Sequence, residues 1–341
     1  MSKKNVPEMI LLAHGSGGRL SHQLVEEVFL PVFYNPALAL MEDSSLVDLP
    51  SSRILLTTDS YVVDPLFFPG GDIGKLAVCG TVNDLAVAGA RPVALTAGFI
   101  LEEGLPVSLL REVVSSMKAA AEEAGISIVA GDTKVVPRGK ADKLFINTAG
   151  VGVALTSTPL GARQVVPGDA VLINGPIGDH GIAVMAAREG LQLSGEIRSD
   201  CAPLAGLIGE ILQAALPVHA MRDPTRGGLA TTLNEIALAA SVRIDVEEER
   251  IPVRPGVRGA CEIFGFDPVY LANEGKFLLF LPEESAEAAL ALMRRHPLGA
   301  GAQQIGWVRE SAARPGVRLL TGIGGSRILD MLVGEQLPRI C

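Results

Sequence analysis

The chain has 341 residues, a formal charge of −9, and 48% apolar but only 4% aromatic residues. A chain of this length exceeds one ordinary core, so two domains are expected. The acidic balance and the lack of a basic block argue against nucleic acid and anionic membranes as partners. No apolar run reaches the roughly 20 residues that span a bilayer, and we expect a cytoplasmic protein.

The first half mixes strand and helix patterns. A short apolar run over 10–13 enters the glycine-rich loop His14–Arg19. Small apolar side chains at helical spacing predict a helix over 73–89, and an amphipathic pattern predicts another over 107–124, closed by Gly125. Strands are predicted at 54–58, where Asp59 ends the strand, and at 92–101, 126–130 and 144–154.

A second unit begins after the turn at 167–169. Its predicted strands are 170–173, 242–246, 277–281 and 303–308, and its predicted helices are 179–188, 204–215, 227–240 and 285–295. No strict strand–helix rhythm and no dinucleotide fingerprint appear, which favours two α+β domains over one doubly wound sheet. We place the boundary near 156–168. Five glycines after residue 312 predict a loosely held, mobile tail.

Five aspartates lie at the ends of predicted elements or within apolar segments: Asp43, Asp59, Asp84, Asp132 and Asp223. A carboxylate in an apolar helix, such as Asp84, is costly unless it is paired or binds a metal. Magnesium takes oxygen ligands and commonly bridges carboxylates to phosphates, so aspartates from separate segments fit a magnesium–polyphosphate site. Each aspartate alone is equally compatible with a turn, a helix cap or an ion pair.

A cysteine, Cys341, is the last residue of the sequence. A thiolate on a mobile tail is a suitable carrier for an acyl or carbamoyl group. An unreactive cysteine on a frayed end and a redox or metal-binding thiol remain alternatives at this point. The other cysteines, Cys79, Cys201 and Cys261, are far apart and predict neither a disulfide framework nor a zinc finger.

Several segments together resemble the HypE family of hydrogenase maturation proteins, within the aminoimidazole-ribotide synthetase and selenophosphate synthetase superfamily. The resemblance begins near residue 9 and continues to the end of the chain. It rests on the segments 13–19, 57–59, 71–86, 131–136, 222–228, 272–275 and 338–341. The last of these reads Pro-Arg-Ile-Cys and separates this branch from its relatives.

The resemblance implies a two-domain α+β fold of the aminoimidazole-ribotide synthetase type, with a homodimer built on the N-terminal strands. In this family the terminal cysteine receives a carbamoyl group from the carbamoyltransferase HypF. ATP then drives its dehydration to a thiocyanate, and the cyanide passes to iron on the HypC–HypD complex. The implied segments are a glycine-rich part at 1–40, an ATP-binding and dimerisation domain at 41–160, a C-terminal domain at 165–311 and a mobile tail at 312–341.

The resemblance also implies residue roles. Cys341 carries the group, with Lys134 and Glu274 as catalytic residues. Metal ligands fall on Asp43, Asp59, Asp84 and Asp223, and ATP-binding positions fall on Gly15, Gly17, Gly18, Asp59, Lys75, Asn83, Asp132 and Thr133. Glu274 is the expected base, since a partly buried carboxylate has a raised pKa. From the residues alone, Lys134 can equally pair with Asp132, and Glu274 can be an ordinary turn carboxylate.

Two other functions remain open from the sequence. A related enzyme that activates a diffusible amide or selenide with ATP needs no terminal thiol. A scaffold that keeps the nucleotide fold only for docking consumes no ATP.

Overall fold

A computed structural model of the protein describes residues 7–15, 19–36, 38–40, 47–191, 197–310, 314–332, 337 and 339–341. The N-terminal half is built on a four-stranded sheet in the order β1-β6-β4-β5. Its strands are β1 (Ile54–Tyr61), β4 (Ala90–Glu102), β5 (Ser127–Val136) and β6 (Leu144–Ala154). β4 and β5 are parallel, while β6 is antiparallel to both β1 and β4.

Two helices, α3 (Ile73–Val87) and α4 (Val107–Ala124), pack against this sheet. α3 begins where the Asp72 carboxylate accepts hydrogen bonds from the backbone N–H groups of Gly74 and Lys75, at 2.7 and 3.2 Å. This is an N-cap that satisfies donors the helix leaves open. α4 ends at Gly125, whose φ of 69° is a left-handed C-cap. The sequence predicted both helices, and the structure confirms them.

Short helical segments lie in the described chain before this sheet. They include α1 (Arg19–Leu24) and α2 (Leu30–Phe33), joined by a π-helical turn over Val25–Phe29. A two-stranded ribbon, β2 (Phe67–Phe68) and β3 (Gly71–Asp72), precedes α3.

The C-terminal half has a seven-stranded sheet in the order β13-β12-β9-β11-β7-β10-β8. Its strands are β7 (Asp169–Ile173), β8 (Ala220–Arg222), β9 (Arg243–Glu247), β10 (Leu278–Pro282), β11 (Gln303–Arg309), β12 (Gly316–Leu320) and β13 (Ser326–Leu329). Its helices are α5 (Asp179–Arg188), α6 (Ala205–Gln213), α7 (Gly228–Ala240), α8 (Pro255–Phe264) and α9 (Ala286–Met293).

Helices cover both faces of this sheet, because the side chains of its central strands alternate between two cores. On β7, Val171 and Ile173 enter the apolar cluster that contains α7, whereas Ala170 and Leu172 enter the cluster that contains α6 and α9. A strand buried on both faces has a continuous apolar sequence, which is why 170–173 was recognisable as a strand.

The tail prediction is wrong for part of its length. β12 pairs in parallel with β9 and antiparallel with β13, so residues 316–329 belong to the sheet. Val317, Leu319 and Leu329 are buried in its core. Alternating apolar residues outweigh the flanking glycines here, because each strand gains both ladder hydrogen bonds and burial.

No helix within the described ranges is long and apolar enough to cross a membrane.

Candidate active site

An acidic cleft of about 650 Å³ lies between the two halves. The N-terminal half contributes β1 and α3 to its walls, and the C-terminal half contributes β8, the loop that follows β8, and the middle of α7. The charged residues that line the acidic cleft are Asp59, Asp84, Arg222, Asp223, Arg226, Glu235 and Glu274, and the thiol of Cys341 lies among them.

The alternation of β1 explains why Asp59 faces the cleft. Thr57 and Asp59 lie two residues apart, so their side chains share one face of the strand. Thr57 donates a hydrogen bond of 2.8 Å to the Asp84 carboxylate on α3. The hydroxyl of Tyr61 donates one of 3.1 Å to Asp59. Two strand positions and one helix position therefore bring two carboxylates to the same wall.

A third carboxylate, Asp223, follows β8 on the opposite side. Burial, reinforced by the nearby Asp84 charge, raises the pKa of Asp223 to about 7. Burial also raises the pKa of Asp84, with Asp59 adding to the effect. Converging carboxylates that resist ionisation are stabilised by a cation. Across the described ranges, however, no three acidic, histidine or cysteine groups are close enough to hold a metal ion by themselves.

Glu274 lies at the bottom of the cleft with only 4% of its surface exposed. Burial first, and then the surrounding Cys201, Asp223, Asp200 and Asp59, raise its pKa well above the usual value. Its backbone N–H donates to the Asp200 carboxylate at 3.1 Å. The next residue must be glycine, because a side chain on Gly275 would collide with the backbone carbonyl of Asp200.

Asn83 joins α3 to the Glu274 segment. Its amide nitrogen donates to the backbone oxygens of Ala202 and Glu274, each at 3.1 Å, and its oxygen accepts from Leu204 N at 2.7 Å. Asn83 does not line the acidic cleft. The sequence placed Asn83 among the ATP-binding residues, whereas its polar atoms are here engaged in holding the two halves together.

Cys341 reaches the cleft from the C-terminal segment. Burial, then the charge of Glu274, raises the pKa of its thiol to about 12, against the opposing effect of Arg226. The seated thiol is therefore protonated at neutral pH. A protonated thiol is a poor nucleophile, so this position suits a group already attached to sulfur better than the attachment step.

The backbone of residues 339–341 runs antiparallel to residues 62–64. Val62 N donates to the backbone oxygen of Cys341 at 3.1 Å, and Asp64 N donates to that of Arg339 at 3.3 Å. The Arg339 side chain donates to Val62 O at 2.9 Å. It also pairs with Asp142 and stacks 5.9 Å from the centre of the Phe145 ring.

Helix α5 holds the same segment from its other side. The Nε2 atom of His180 lies 2.9 Å from Ile340 O, and its Nδ1 atom lies 2.9 Å from the hydroxyl of Ser199. Arg188 donates through Nη2 to Arg339 O at 2.8 Å and through Nε to Asp64 O at 2.8 Å. Ile340 itself is 4% exposed.

A second cavity, of about 210 Å³, lies beside the N-terminal helices. Asp132, Thr133 and Lys134 line it from β5, together with His14 and Phe29. Lys134 and Asp132 form an ion pair of 2.9 Å, and both are largely exposed. The structure therefore separates Asp132, Thr133 and Lys134 from the acidic cleft of their own chain.

The other predicted site residues that the structure describes, Gly15 and Lys75, also lie outside the acidic cleft. Gly15 ends a 3-10 helix next to His14, which lines the second cavity. Lys75 lies in the first turn of α3, where its amine contacts Gly70 O at 3.4 Å, outside the lining of the acidic cleft. Gly17, Gly18 and Asp43 lie outside the described residues.

The sequence interpretation assigned no role to Arg226, Thr57, His180 or Arg188. Arg226 lies in the quoted segment 222–228 and Thr57 in the quoted segment 57–59, so position in a motif was a usable signal. For His180 and Arg188, helix spacing alone carried no such signal, because their partners are backbone oxygens remote in the chain.

Comparison with known proteins gives a consistent assignment. Residues 41–154 match the model for the AIR synthase related protein, N-terminal domain, and residues 166–315 match the C-terminal domain of the same family. The carbamoyl dehydratase HypE of Rhodobacter capsulatus is 54% identical over 338 residues, which cover 98% of each chain. That of Escherichia coli is 50% identical over 337 residues, with 97% and 99% covered.

A crystal structure of the hydrogenase maturation protein HypE in complex with ATP superposes with a TM-score of 0.94 at 51% identity, covering 97% of this chain and 99% of that one. A HypE chain from a HypE–HypF complex superposes with a TM-score of 0.80 at 50% identity, covering 91% and 99%. The chain belongs to the carbamoyl dehydratase HypE family, with the two domains of the AIR synthase related proteins.

Proposed function

We propose that this protein uses ATP to dehydrate an S-carbamoyl group on Cys341 to a thiocyanate, which supplies the cyanide ligand of a nickel–iron hydrogenase centre. The observation that carries the proposal is the position of Cys341 within the acidic cleft, with Glu274 close enough for its charge to raise the pKa of the thiol. Family membership supports the chemistry, since the relatives are named carbamoyl dehydratases.

The reaction activates a poor leaving group. The carbamoyl oxygen attacks the γ-phosphorus of ATP, and ADP leaves. The oxygen then departs as phosphate while the nitrogen loses its protons, which leaves a carbon–nitrogen triple bond on sulfur. The sum is removal of one water from the S-carboxamide, with hydrolysis of ATP to ADP and phosphate. Positioned charges that stabilise the transferring phosphoryl group account for most of the catalysis in such reactions.

Glu274 is the proposed base for the nitrogen-bound protons. Its raised pKa makes it strongly basic once ionised, but also keeps it protonated in an all-acidic surrounding. A cation held by the aspartates of the cleft would lower that pKa and favour the ionised form of Glu274. We therefore assign base catalysis to Glu274 in the loaded cleft.

Magnesium is the proposed cation. Asp59, Asp84 and Asp223 offer only oxygen ligands, as magnesium prefers. Burial and neighbouring carboxylates raise the pKa values of Asp84 and Asp223, and a bound cation would favour their ionised forms. Because no three ligating groups converge among the described residues, phosphate oxygens and water would have to supply further ligands. Magnesium held by these aspartates would offset negative charge on the transferring phosphate. Asp43 stays a predicted fourth ligand.

For ATP we retain Gly15, Gly17, Gly18, Asp59, Lys75, Asp132 and Thr133 as predicted contacts. The start of α7 is a further candidate for phosphate binding, because a helix N-terminus with Arg226 beside it attracts anions. Asn83 is assigned to holding the Glu274 backbone instead.

A homodimer would let the residues at the second cavity act at an acidic cleft, from which they are separated within one chain. On the face of the four-stranded sheet away from α3, Leu56 is 73% exposed, and Ile54 and Ile100 are 45% and 44% exposed. Lys134 is the register partner of Ile100 and therefore lies on that same face. We propose that a second copy covers this face and that Lys134 serves the cleft of the partner.

Two experiments test this arrangement. Leu56→Glu is expected to convert a dimer to a monomer in sedimentation, while Ile263→Glu, at a residue 74% exposed on α8, leaves the dimer intact. In mixed dimers, one chain with Lys134→Ala and the other with Cys341→Ala should recover one working site. If neither site of the mixed dimer dehydrates, Lys134 acts in the cleft of its own chain, and if the Lys134→Ala homodimer reacts normally, Lys134 lies outside catalysis.

HypF is the proposed carbamoyl donor, supported by the HypE–HypF complex of a chain 50% identical to this one. A HypC–HypD complex is the proposed acceptor of cyanide. We place the protein in the cytoplasm, which is consistent with the four free cysteines.

Intact-mass analysis of the carbamoylated protein tests the whole proposal. With ATP and magnesium, the C-terminal peptide should lose the mass of one water. Glu274→Gln should slow this by at least about 100-fold, the usual range for general base catalysis. Glu235→Gln, a cleft glutamate paired with Arg222, is the matched control and should react normally. Product formation by Cys341→Ala would instead favour an enzyme with a diffusible substrate.

A further inference from the structure

We infer that α5 is the element that seats the C-terminal segment, and that His180 and Arg188 are positioning residues for Cys341. The inference rests on the proposed function for its consequence in catalysis, but its structural part does not depend on that function. Neither residue lines the acidic cleft. Each acts on the backbone of the residues that precede the thiol.

The contact of His180 fixes both its tautomer and its direction. Ile340 O only accepts hydrogen bonds, so Nε2 must carry the proton, and the Ser199 hydroxyl then donates to Nδ1. Ser199 in turn accepts from Cys201 N at 3.1 Å. The ring is fully buried, with its centre 5.4 Å from that of Phe68 in an edge-on arrangement. An imidazole held on three sides presents one rigid donor to the tail.

Arg188 ties the tail to the neighbouring segment, residues 62–64. Its guanidinium donates twice to Asp64 O, at 2.8 and 2.7 Å, and once to Arg339 O at 2.8 Å. The fork is therefore satisfied by two carbonyls from chain segments far apart in sequence. A lysine has only a point charge and cannot reproduce this geometry.

The backbone of Arg339 shows why such holding is needed. Its φ of 52° is left-handed, a conformation that costs a non-glycine residue of order 1–2 kcal/mol. Arg188 and Asp64 bind its carbonyl, while Val62 O and Asp142 bind its guanidinium. These contacts fix the turn that directs Ile340 into the apolar core and Cys341 into the cleft.

Recognition through carbonyl oxygens has a functional consequence. The contacts of His180 and Arg188 do not involve the sulfur of Cys341, so they are the same for a free, carbamoylated or cyanated tail. His180 and Arg188 can therefore hold the free, carbamoylated and cyanated tail equally well. Only the cleft can discriminate among these three forms.

Limited trypsin digestion of the full dimeric protein measures the seating directly. Cleavage after Arg339 releases Ile340 and Cys341, and intact mass follows the loss. Arg188→Gln and His180→Phe should each raise the rate of this loss about tenfold, as expected from the hydrogen bonds removed. Arg188→Lys, which keeps the positive charge and most of the reach, and His180→Gln, which keeps one donor, should fall between the variants and the native protein. Arg295→Gln, at an exposed arginine after α9, should change nothing.

Single-turnover dehydration separates positioning from general stability. Both variants should slow the loss of water about tenfold while the ATP concentration for half-maximal rate stays unchanged, and their melting temperatures should stay near that of the native protein. Cleavage rates within twofold of the native value in both variants would overturn the inference. If the variants are cleaved faster but the native protein does not dehydrate its S-carbamoyl group, the seating of the tail by α5 is supported and the proposed function is rejected.

Discussion

Truncating Ile340 tests how firmly the tail is seated. Its side chain is 4% exposed and packs in the core cluster that joins the N-terminal half to α5 and α8. Ile340→Ala removes three buried carbons, which at about 0.8 kcal/mol for each amounts to about 2 kcal/mol of docking free energy. That change raises the undocked fraction about 30-fold, since 1.36 kcal/mol corresponds to a factor of ten.

Alkylation of Cys341 with iodoacetamide measures that fraction. A pKa of about 12 in place of the usual 9.0 leaves the docked thiol with about a thousandfold less thiolate, so alkylation reports release of the tail. The other cysteines are buried and should react slowly. We expect Ile340→Ala to be alkylated about 30-fold faster at neutral pH, up to the limit set by a free peptide.

The control is the same substitution at Ile263, which is 74% exposed and should leave the rate unchanged. A native rate equal to that of a free cysteine peptide would refute the docked position as a dominant state. A rate for Ile340→Ala within twofold of the native protein would refute burial of this side chain as the source of docking.

Three further predictions follow from single groups. Asp84→Asn, which keeps a partner for Thr57, should lower ATP hydrolysis by at least about 100-fold, because it removes a charge from the site of phosphoryl transfer. Burial raises the pKa of Asp179 to about 6 in the folded state, from 3.8 in the unfolded state. The contribution of Asp179 to the free energy of unfolding is therefore fully present below pH 3.8 and is lost as pH rises through 6. Urea unfolding should show a loss of about 3 kcal/mol between pH 4 and 8 that is absent in Asp179→Asn. Gly275→Ala should unfold at lower urea or temperature and abolish dehydration, because its new methyl group displaces Asp200.

Much of the fold could be predicted from local signals. The structure confirms the strand over 54–58 and the helices over 73–89 and 107–124, all of which carried clear periodicity. The predicted strand end at Asp59 is wrong, because β1 continues to Tyr61. β12 and β13 were missed because each is only four or five residues long and lies among glycines. β12 is stabilised by pairing with β9 and β13 by pairing with β12, and no local pattern contains these pairings.

The site was predictable in composition but not in arrangement. Asp59, Asp84, Asp223, Glu274 and Cys341 come from five separate segments, and the structure brings all five to one cleft. The position of Lys134 could not be predicted, because the predicted strand ended at residue 130. β5 instead continues to Val136 and pairs Lys134 with Ile100 on the sheet face away from α3. Whether a side chain faces a cleft depends on strand register and helix rotation, which motif order does not specify.

The electrostatics of the cleft impose a sequence of events on the tail. A pKa of about 12 makes seated Cys341 unreactive towards a carbamoyl donor, so loading requires the thiol to be outside the cleft. Dehydration has the opposite requirement, because Glu274 and the acidic wall lie inside. Carbamoylation removes the ionisable proton from the sulfur, and with it any repulsion between a thiolate and Glu274. The loaded tail therefore enters with less electrostatic cost than an ionised free tail, and the cleft favours the substrate form over the reactive thiolate.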